Sequence, residues 1–197
     1  MSATFPDALK NELSFLAVKE LVPKGILESE FKKRNRTHIE FSNSYVSQNL
    51  DDIINSYLEG KKILIVMNTV RRAQDVFRRL RTLMEENNYP PNDLMLIHSR
   101  FTFRDRRNLE KRIFDYPRIV VATQVIEVSL DIDYDILFTE ACYLDSLVQR
   151  AGRINRYGNL GNNGEGLVNV FLPENTLPYE SSMLQNSVKL VLSRIDL

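Results

Sequence analysis

Four short runs in this chain are apolar at every position: Ile63 to Met67, Leu94 to Ile97, Ile119 to Ala122 and Ile136 to Phe138. A fifth, Leu167 to Leu172, is nearly so. A strand with one wet face alternates apolar and polar residues, whereas a strand covered on both faces does not. The runs therefore predict a parallel sheet with helices on both sides. The segments between them supply those helices. From Val70 to Met84 the apolar residues are Val70, Ala73, Val76, Phe77, Leu80, Leu83 and Met84, which is helical spacing. Thr102 followed by Asp105 is a capping-box pattern that opens a second helix toward Phe114. Asp145 is expected to cap a third, from Ser146 to about Gly152. His38 to Phe41 reads as the first strand, with a helix near Leu50 to Leu58. Alternating strands and helices predict a doubly wound α/β domain with right-handed crossovers. Its functional groups are expected at the carboxyl ends of the strands.

The first residues have a different character. Pro6 to Glu20 can form a helix, and Phe31 to Thr37 is a basic connector. Residues 1–37 are expected to be a tail or linker, and residues 38–197 the main domain. The Gly/Asn-rich stretch Gly158 to Gly166 reads as the clearest loop.

Composition narrows the function. Lys+Arg and Asp+Glu each number 26 in 197 residues, so the net charge is zero. Nucleic-acid contacts, if made, must come from local clusters. The single cysteine, Cys142, rules out an intrachain disulfide framework and a cysteine-based zinc site. It follows an apolar run and is expected to be a buried structural thiol. No apolar stretch approaches the roughly 20 residues that span a bilayer. The amino terminus lacks the basic start and apolar core of a signal peptide. A cytoplasmic protein with no membrane partner is the expectation.

Three segments carry chemistry. In Gln149-Arg150-Ala151-Gly152-Arg153-Ile154-Asn155-Arg156, three arginines recur at three-residue spacing around a glycine. That spacing places them near one face of a helix or its last turn. Guanidinium groups stay charged and bind phosphate through two N–H groups at once. Three together suit the charge that develops on a transferring phosphoryl group. The plain alternative is a solvated basic helix end. In the second segment, Val120 to Asp133, a buried strand ends at Ala122 and a turn follows with Thr123, Gln124, Glu127, Ser129 and Asp131. A hydroxyl at a strand end can bond a phosphate oxygen, and Asp131 can accept from a ribose hydroxyl. Ordinary loop capping by Thr and Asp is the alternative. In the third, Ile63 to Val70, a strand runs through Asn68 and Thr69 into a helix. Either residue can be the helix N-cap, and a helix N-terminus facing a phosphate would add backbone donors.

In this order and spacing the three segments resemble motifs IV, V and VI of superfamily 2 helicases, over about residues 60–160. Ser2-Ala3-Thr4 looks like motif III, which closes the first RecA-like domain of that superfamily. Ile97 to Phe101 with Arg104, Asp105 and Arg106, the Glu127 to Asp131 form of motif V, and the Asp145-Ser146-Leu147 lead into motif VI narrow the resemblance. They are similar to the CRISPR-associated helicase–nuclease of type I systems. The resemblance implies a RecA-like, P-loop-type parallel sheet with helices on both faces. It implies that the chain is the second RecA-like domain of an ATP-dependent single-stranded-DNA translocase in CRISPR interference.

Carried over residue by residue, Arg153 and Arg156 are implied as the catalytic arginine fingers. Gln149, Asp131, Gly152 and Arg150 are implied at the nucleotide, with Arg150 also a candidate for tying motif VI to its own domain. Asn68, Thr69, His98, Ser99, Arg100, Arg104, Thr123, Gln124 and Glu127 are implied along the strand path; for His98 a buried structural role stands beside that one. No G-x-x-x-x-G-K-[ST] loop, acidic D-E-x-[DH] box or His-Asp pair occurs. ATP and Mg²⁺ are therefore implied only for the intact enzyme, with no metal site and no cofactor bound by this chain alone. The implied partners are the first RecA-like domain, single-stranded DNA, the CRISPR RNA-guided surveillance complex and an HD-type nuclease domain or subunit. Residues 1–37 become the remnant of the first domain plus linker, and the chain alone is expected to be inactive as an ATPase. Two other readings stand. One is a non-catalytic nucleic-acid-binding or assembly module resting on the arginines between Arg71 and Arg81, for which a solvated face is the plainer account. The other is a superfamily 2 helicase domain outside CRISPR defence.

Overall fold

A computed structural model describes residues 37–113, 117–127, 131–158 and 164–195. The proposed motif III, the Pro6 to Glu20 helix and Val128-Ser129-Leu130 lie outside the described residues. Six strands form one sheet: β1 (Thr37–Ser42), β2 (Ile63–Val66), β3 (Leu94–Ile97), β4 (Ile119–Ala122), β5 (Ile136–Glu140) and β6 (Gly166–Phe171). Every pairing is parallel, in the order β1-β6-β5-β2-β4-β3. Among the described residues five α-helices accompany it: α1 (Leu50–Leu58), α2 (Val70–Glu86), α3 (Phe103–Ile113), α4 (Leu144–Ala151) and α5 (Ser181–Ile195).

The absence of alternation in the strands has the expected cause. On β2, Leu64 and Val66 join a core with Leu147 of α4 and Leu184 and Val191 of α5. Ile63 and Ile65 join the opposite core with Ile53 of α1 and Val76 and Leu80 of α2. All four are fully buried. At roughly 25 cal/mol per Å² of apolar surface, this two-sided burial is the main force that fixes the sheet.

Helix starts follow local chemistry. The Thr69 hydroxyl caps α2 by accepting from the Arg72 N–H at 3.3 Å. Thr102 accepts from the Asp105 N–H at 3.2 Å, and its hydroxyl donates to the Asp105 carboxylate at 2.6 Å, the expected start of α3. The third helix needs a correction. It begins at Leu144 with Tyr143 at the cap, so Asp145 lies in the first turn rather than before it. There it still faces the positive end of the helix dipole. Helix α5 was not anticipated, although Leu184, Val188 and Val191 repeat at helical spacing and pack on the core.

Candidate functional site

The three chemistry-bearing segments meet at the carboxyl end of the sheet. Val66 of β2 lies beside Ala122 of β4 and Thr139 of β5, so the chain leaving each strand emerges next to the others. Asn68 follows β2, Thr123 and Gln124 follow β4, and Glu140 ends β5. Helix α4 then delivers Gln149, Arg150 and Gly152, and the turn after it carries Arg153 and Arg156.

Arg150 joins these pieces from inside. Its side chain is completely buried, and its guanidinium donates in several directions. Nε reaches Glu127 Oε1 at 2.8 Å. Nη1 reaches Asn68 Oδ1 at 3.1 Å, the Thr139 hydroxyl at 2.8 Å and the Glu140 carbonyl at 3.2 Å. Nη2 reaches the Tyr179 hydroxyl at 3.2 Å. A cation this deep persists because its charge and donors are met by acceptors on Glu127, Asn68, Thr139, Glu140 and Tyr179. Arg150 thus bonds the end of α4 to groups around the ends of β2, β4 and β5.

Asn68 is also turned inward. It is 2% exposed; its amide donates to the Ala141 carbonyl at 2.8 Å while its oxygen accepts from Arg150. Its backbone N–H donates to Glu140 Oε2 at 2.6 Å, and its carbonyl accepts from Gln124 Nε2 at 2.9 Å. Glu140 pairs with Arg72, whose Nε lies 2.7 Å from Oε1. Burial pushes the Glu140 carboxyl above its ordinary value, while the Asn68 N–H and the Arg72 charge pull the other way. Sequence reasoning placed Arg72 with the solvated arginines of α2. It is buried instead, although Arg78, Arg79 and Arg81 do face outward. The signal was present: Arg72 stands four residues before Val76 and beside Ala73, on the inward flank of the helix.

The three arginines of motif VI do not share one face. Arg153 is 8% exposed; its Nε donates to the Ile126 carbonyl at 3.1 Å and its Nη2 to the Glu127 carbonyl at 2.8 Å. Burial, then the charge of Arg156, lowers its pKa from the ordinary value. Arg156 lies outside, its Nε 3.0 Å from Asp131 Oδ1, with the side chains 40% and 63% exposed. Its backbone N–H donates to Asp133 Oδ1 at 2.7 Å. The turn itself is tightly made. Gly152 ends α4, donating to the Val148 carbonyl at 2.9 Å. Asn155 adopts a left-handed φ of 44°, which Asn tolerates better than most residues. The Tyr134 N–H donates to the Arg153 carbonyl at 3.0 Å, and the Asn155 N–H to the Tyr134 carbonyl at 2.8 Å. Gln149 is half-buried on α4.

The segment after β3 divides similarly. His98 is 4% exposed, stacks on Phe101 with ring centroids 4.2 Å apart, and accepts at Nδ1 from the Arg100 N–H at 3.3 Å. Burial, with the Arg100 charge, lowers its pKa, so it is neutral at physiological pH. Ser99, Arg100 and Arg104 are exposed, whereas Thr123 is buried and Glu127 largely covered. Cys142 is free and buried, as expected, and burial pushes its thiol up to about 11. Among the described residues no group of three His, Cys, Asp or Glu side chains can hold a metal. No helix among them is long and apolar enough to cross a membrane.

Comparison with known proteins identifies the family. The family model for the C-terminal region of the CRISPR-associated nuclease/helicase Cas3 matches residues 59–159. The chain is 32% identical over 203 residues to the CRISPR-associated nuclease/helicase Cas3 of Methanothermobacter thermautotrophicus, covering 98% of this chain and 22% of that one. The crystal structure of T. fusca Cas3-ATP superposes with a TM-score of 0.70 and 26% identity, covering 82% of this chain and 22% of that one. A CRISPR RNA-guided surveillance complex in its pre-nicking state contains a chain with a TM-score of 0.64 and 27% identity, covered to 82% and 23%. The chain spans about a quarter of the proteins it matches, and its sheet is the RecA-like fold of these helicases. Its motifs, their order and the match across the site make it a member of the Cas3-like C-terminal helicase family.

Proposed function

We propose that this chain is the C-terminal helicase domain of an ATP-dependent single-stranded-DNA translocase of CRISPR interference, inactive as an ATPase alone. One observation carries the reading. Three segments far apart in sequence converge at the carboxyl ends of β2, β4 and β5, and the outermost member of the cluster is an exposed guanidinium, Arg156.

When bound, ATP supplies a phosphoryl group on which negative charge grows during transfer. Arg153 and Arg156 are the groups here that match such charge. Arg153 is held rigid by the carbonyls of Ile126 and Glu127, so it needs no reorganisation to be aimed. Arg156 is held by Asp131 in a solvent-exposed pair, and exchanging such a pair for a phosphate costs little. Asp131 would then be available to a ribose hydroxyl, with Gln149 beside the nucleotide. Mg²⁺ would be held by the first RecA-like domain, which also would supply the phosphate-binding loop. Exposed Ser99, Arg100 and Arg104, with half-buried Thr69 and Gln124, are the strand-facing groups. Asn68, His98, Thr123 and Glu127 act from beneath by shaping the surface, as do Arg150 and Gly152 at the nucleotide side. Contacts of this kind go mostly to phosphates and are salt-sensitive. The first RecA-like domain, an HD-type nuclease and the surveillance complex are the partners this reading requires.

The test is ATP turnover by the full-length protein. Arg156→Ala and Arg153→Ala should each abolish DNA-stimulated hydrolysis, a loss of at least about 100-fold, while single-strand binding stays measurable. Near-normal turnover in either variant would remove that residue from the finger assignment.

A further inference from the structure

Beyond the segment that matches the family, the chain leaves β6 and crosses back over the site before entering α5. This stretch, Asn175 to Glu180, is fastened at both ends by the site's own buried arginines. At one end Arg72 Nη1 donates to Asn175 Oδ1 at 2.8 Å and Nη2 to the Leu177 carbonyl at 3.0 Å. At the other, Arg150 Nη2 donates to the Tyr179 hydroxyl at 3.2 Å. The Tyr179 ring packs against Tyr143, the cap of α4, with centroids 4.5 Å apart. The Tyr143 hydroxyl in turn accepts from the Glu180 N–H at 2.9 Å.

The two arginines divide their donors between this strap and the motifs. Arg72 is anchored by Glu140, which also accepts from the Asn68 N–H. Arg150 is anchored by Asn68, Glu127 and Thr139. The Tyr179 hydroxyl also faces Gln124 of motif V and Ser146 of α4, and burial raises its pKa, so it stays a neutral phenol. One hydroxyl therefore ties the strap to motif VI through Arg150. Removing it leaves a buried guanidinium one acceptor short, which favours a shift of α4 and of the turn it carries.

We infer that Tyr179 and Asn175 are positioning residues for ATP turnover: the strap sets the angle at which α4 presents Arg153 and Arg156. This rests on the helicase reading above. The strap touches no nucleotide itself and acts through Arg150 and Arg72.

The test uses the full-length protein with Tyr179→Phe, Tyr179→Ala and Asn175→Ala, alongside Arg156→Ala as control. Tyr179→Phe keeps the ring on Tyr143 and removes only the acceptor. It should lower kcat about three- to tenfold with KM for ATP within about twofold, because a misaimed finger weakens the transition state rather than ground-state binding. Tyr179→Ala should lose more, and Asn175→Ala should resemble Tyr179→Phe. Amide hydrogen exchange should rise at Arg153 to Arg156 while β2 stays protected. An unchanged kcat in Tyr179→Phe would overturn the inference, and so would a uniform rise in exchange across the sheet, which would mark a residue that only holds the fold. If Arg156→Ala is dead while Tyr179→Phe is normal, the strap inference alone fails. If Arg156→Ala is active, the finger assignment fails first.

Discussion

Arg150 and Arg156 belong to one short segment and live in opposite environments. The helix end that carries Arg150 is buried and bonded to groups at or just after the ends of β2, β4 and β5. The turn that carries Arg156 is wet, and its guanidinium has an exposed carboxylate as partner. Arg153 lies between, buried but facing backbone carbonyls. Side chains of one type, three residues apart, therefore do three different things. The nearest apolar neighbour in the helical repeat decides which: Arg150 stands three residues after buried Leu147, whereas Arg156 lies beyond the helix.

The sharpest way to break this contrast is Arg150→Ala. It leaves Asn68, Thr139 and Glu127 without their donor and should cost about 3–5 kcal/mol in chemical denaturation. A loss under about 1 kcal/mol would mean that the interior rearranges around the gap. Gly166→Ala attacks the floor of the turn instead. A Cβ there would stand 2.4 Å from Ile154 Cγ2 and 3.0 Å from Asn155 Cβ. Crowding of this kind should cost about 1–3 kcal/mol, read as a lower urea midpoint with the slope unchanged. The smallest effect belongs to Arg156→Ala, whose exposed pair should contribute less than about 1 kcal/mol to stability. Stability near wild type together with lost turnover would place Arg156 in function rather than in the fold; a large destabilisation would erase the contrast with Arg150.

The sheet was legible because two-sided burial writes itself as unbroken apolar runs, and β3 and β4 begin and end where those runs do. The site was legible as a set of segments but not as a set of orientations. Spacing indicated that Arg150, Arg153 and Arg156 would sit near one another. It did not show that Glu127, Asn68 and the Thr139 hydroxyl would converge on the first, because those acceptors come from other strands. The spacing of Arg72 with Ala73 and Val76 marked it as inward-facing, but its partner Glu140 ends a strand that nothing in the local sequence pairs with α2. The strap was missed because Leu172 to Glu180 has no periodicity, and the groups that hold it, Arg72, Arg150 and Tyr143, are distant in sequence.

Among the described residues, strand β1 sits at the sheet's edge and pairs with β6, Thr37 opposite Gly166. The two are separated by nearly the whole domain. During synthesis from the amino end, the first strand of the fold must wait for the last before it has a neighbour. Closing so long a loop is slow and comes late. A gene fragment ending at the last motif arginine would leave β1 unpaired and β5 with a bare edge, prone to pair with other chains. A fragment with its sheet edges paired therefore has to run through β6, well past Arg156.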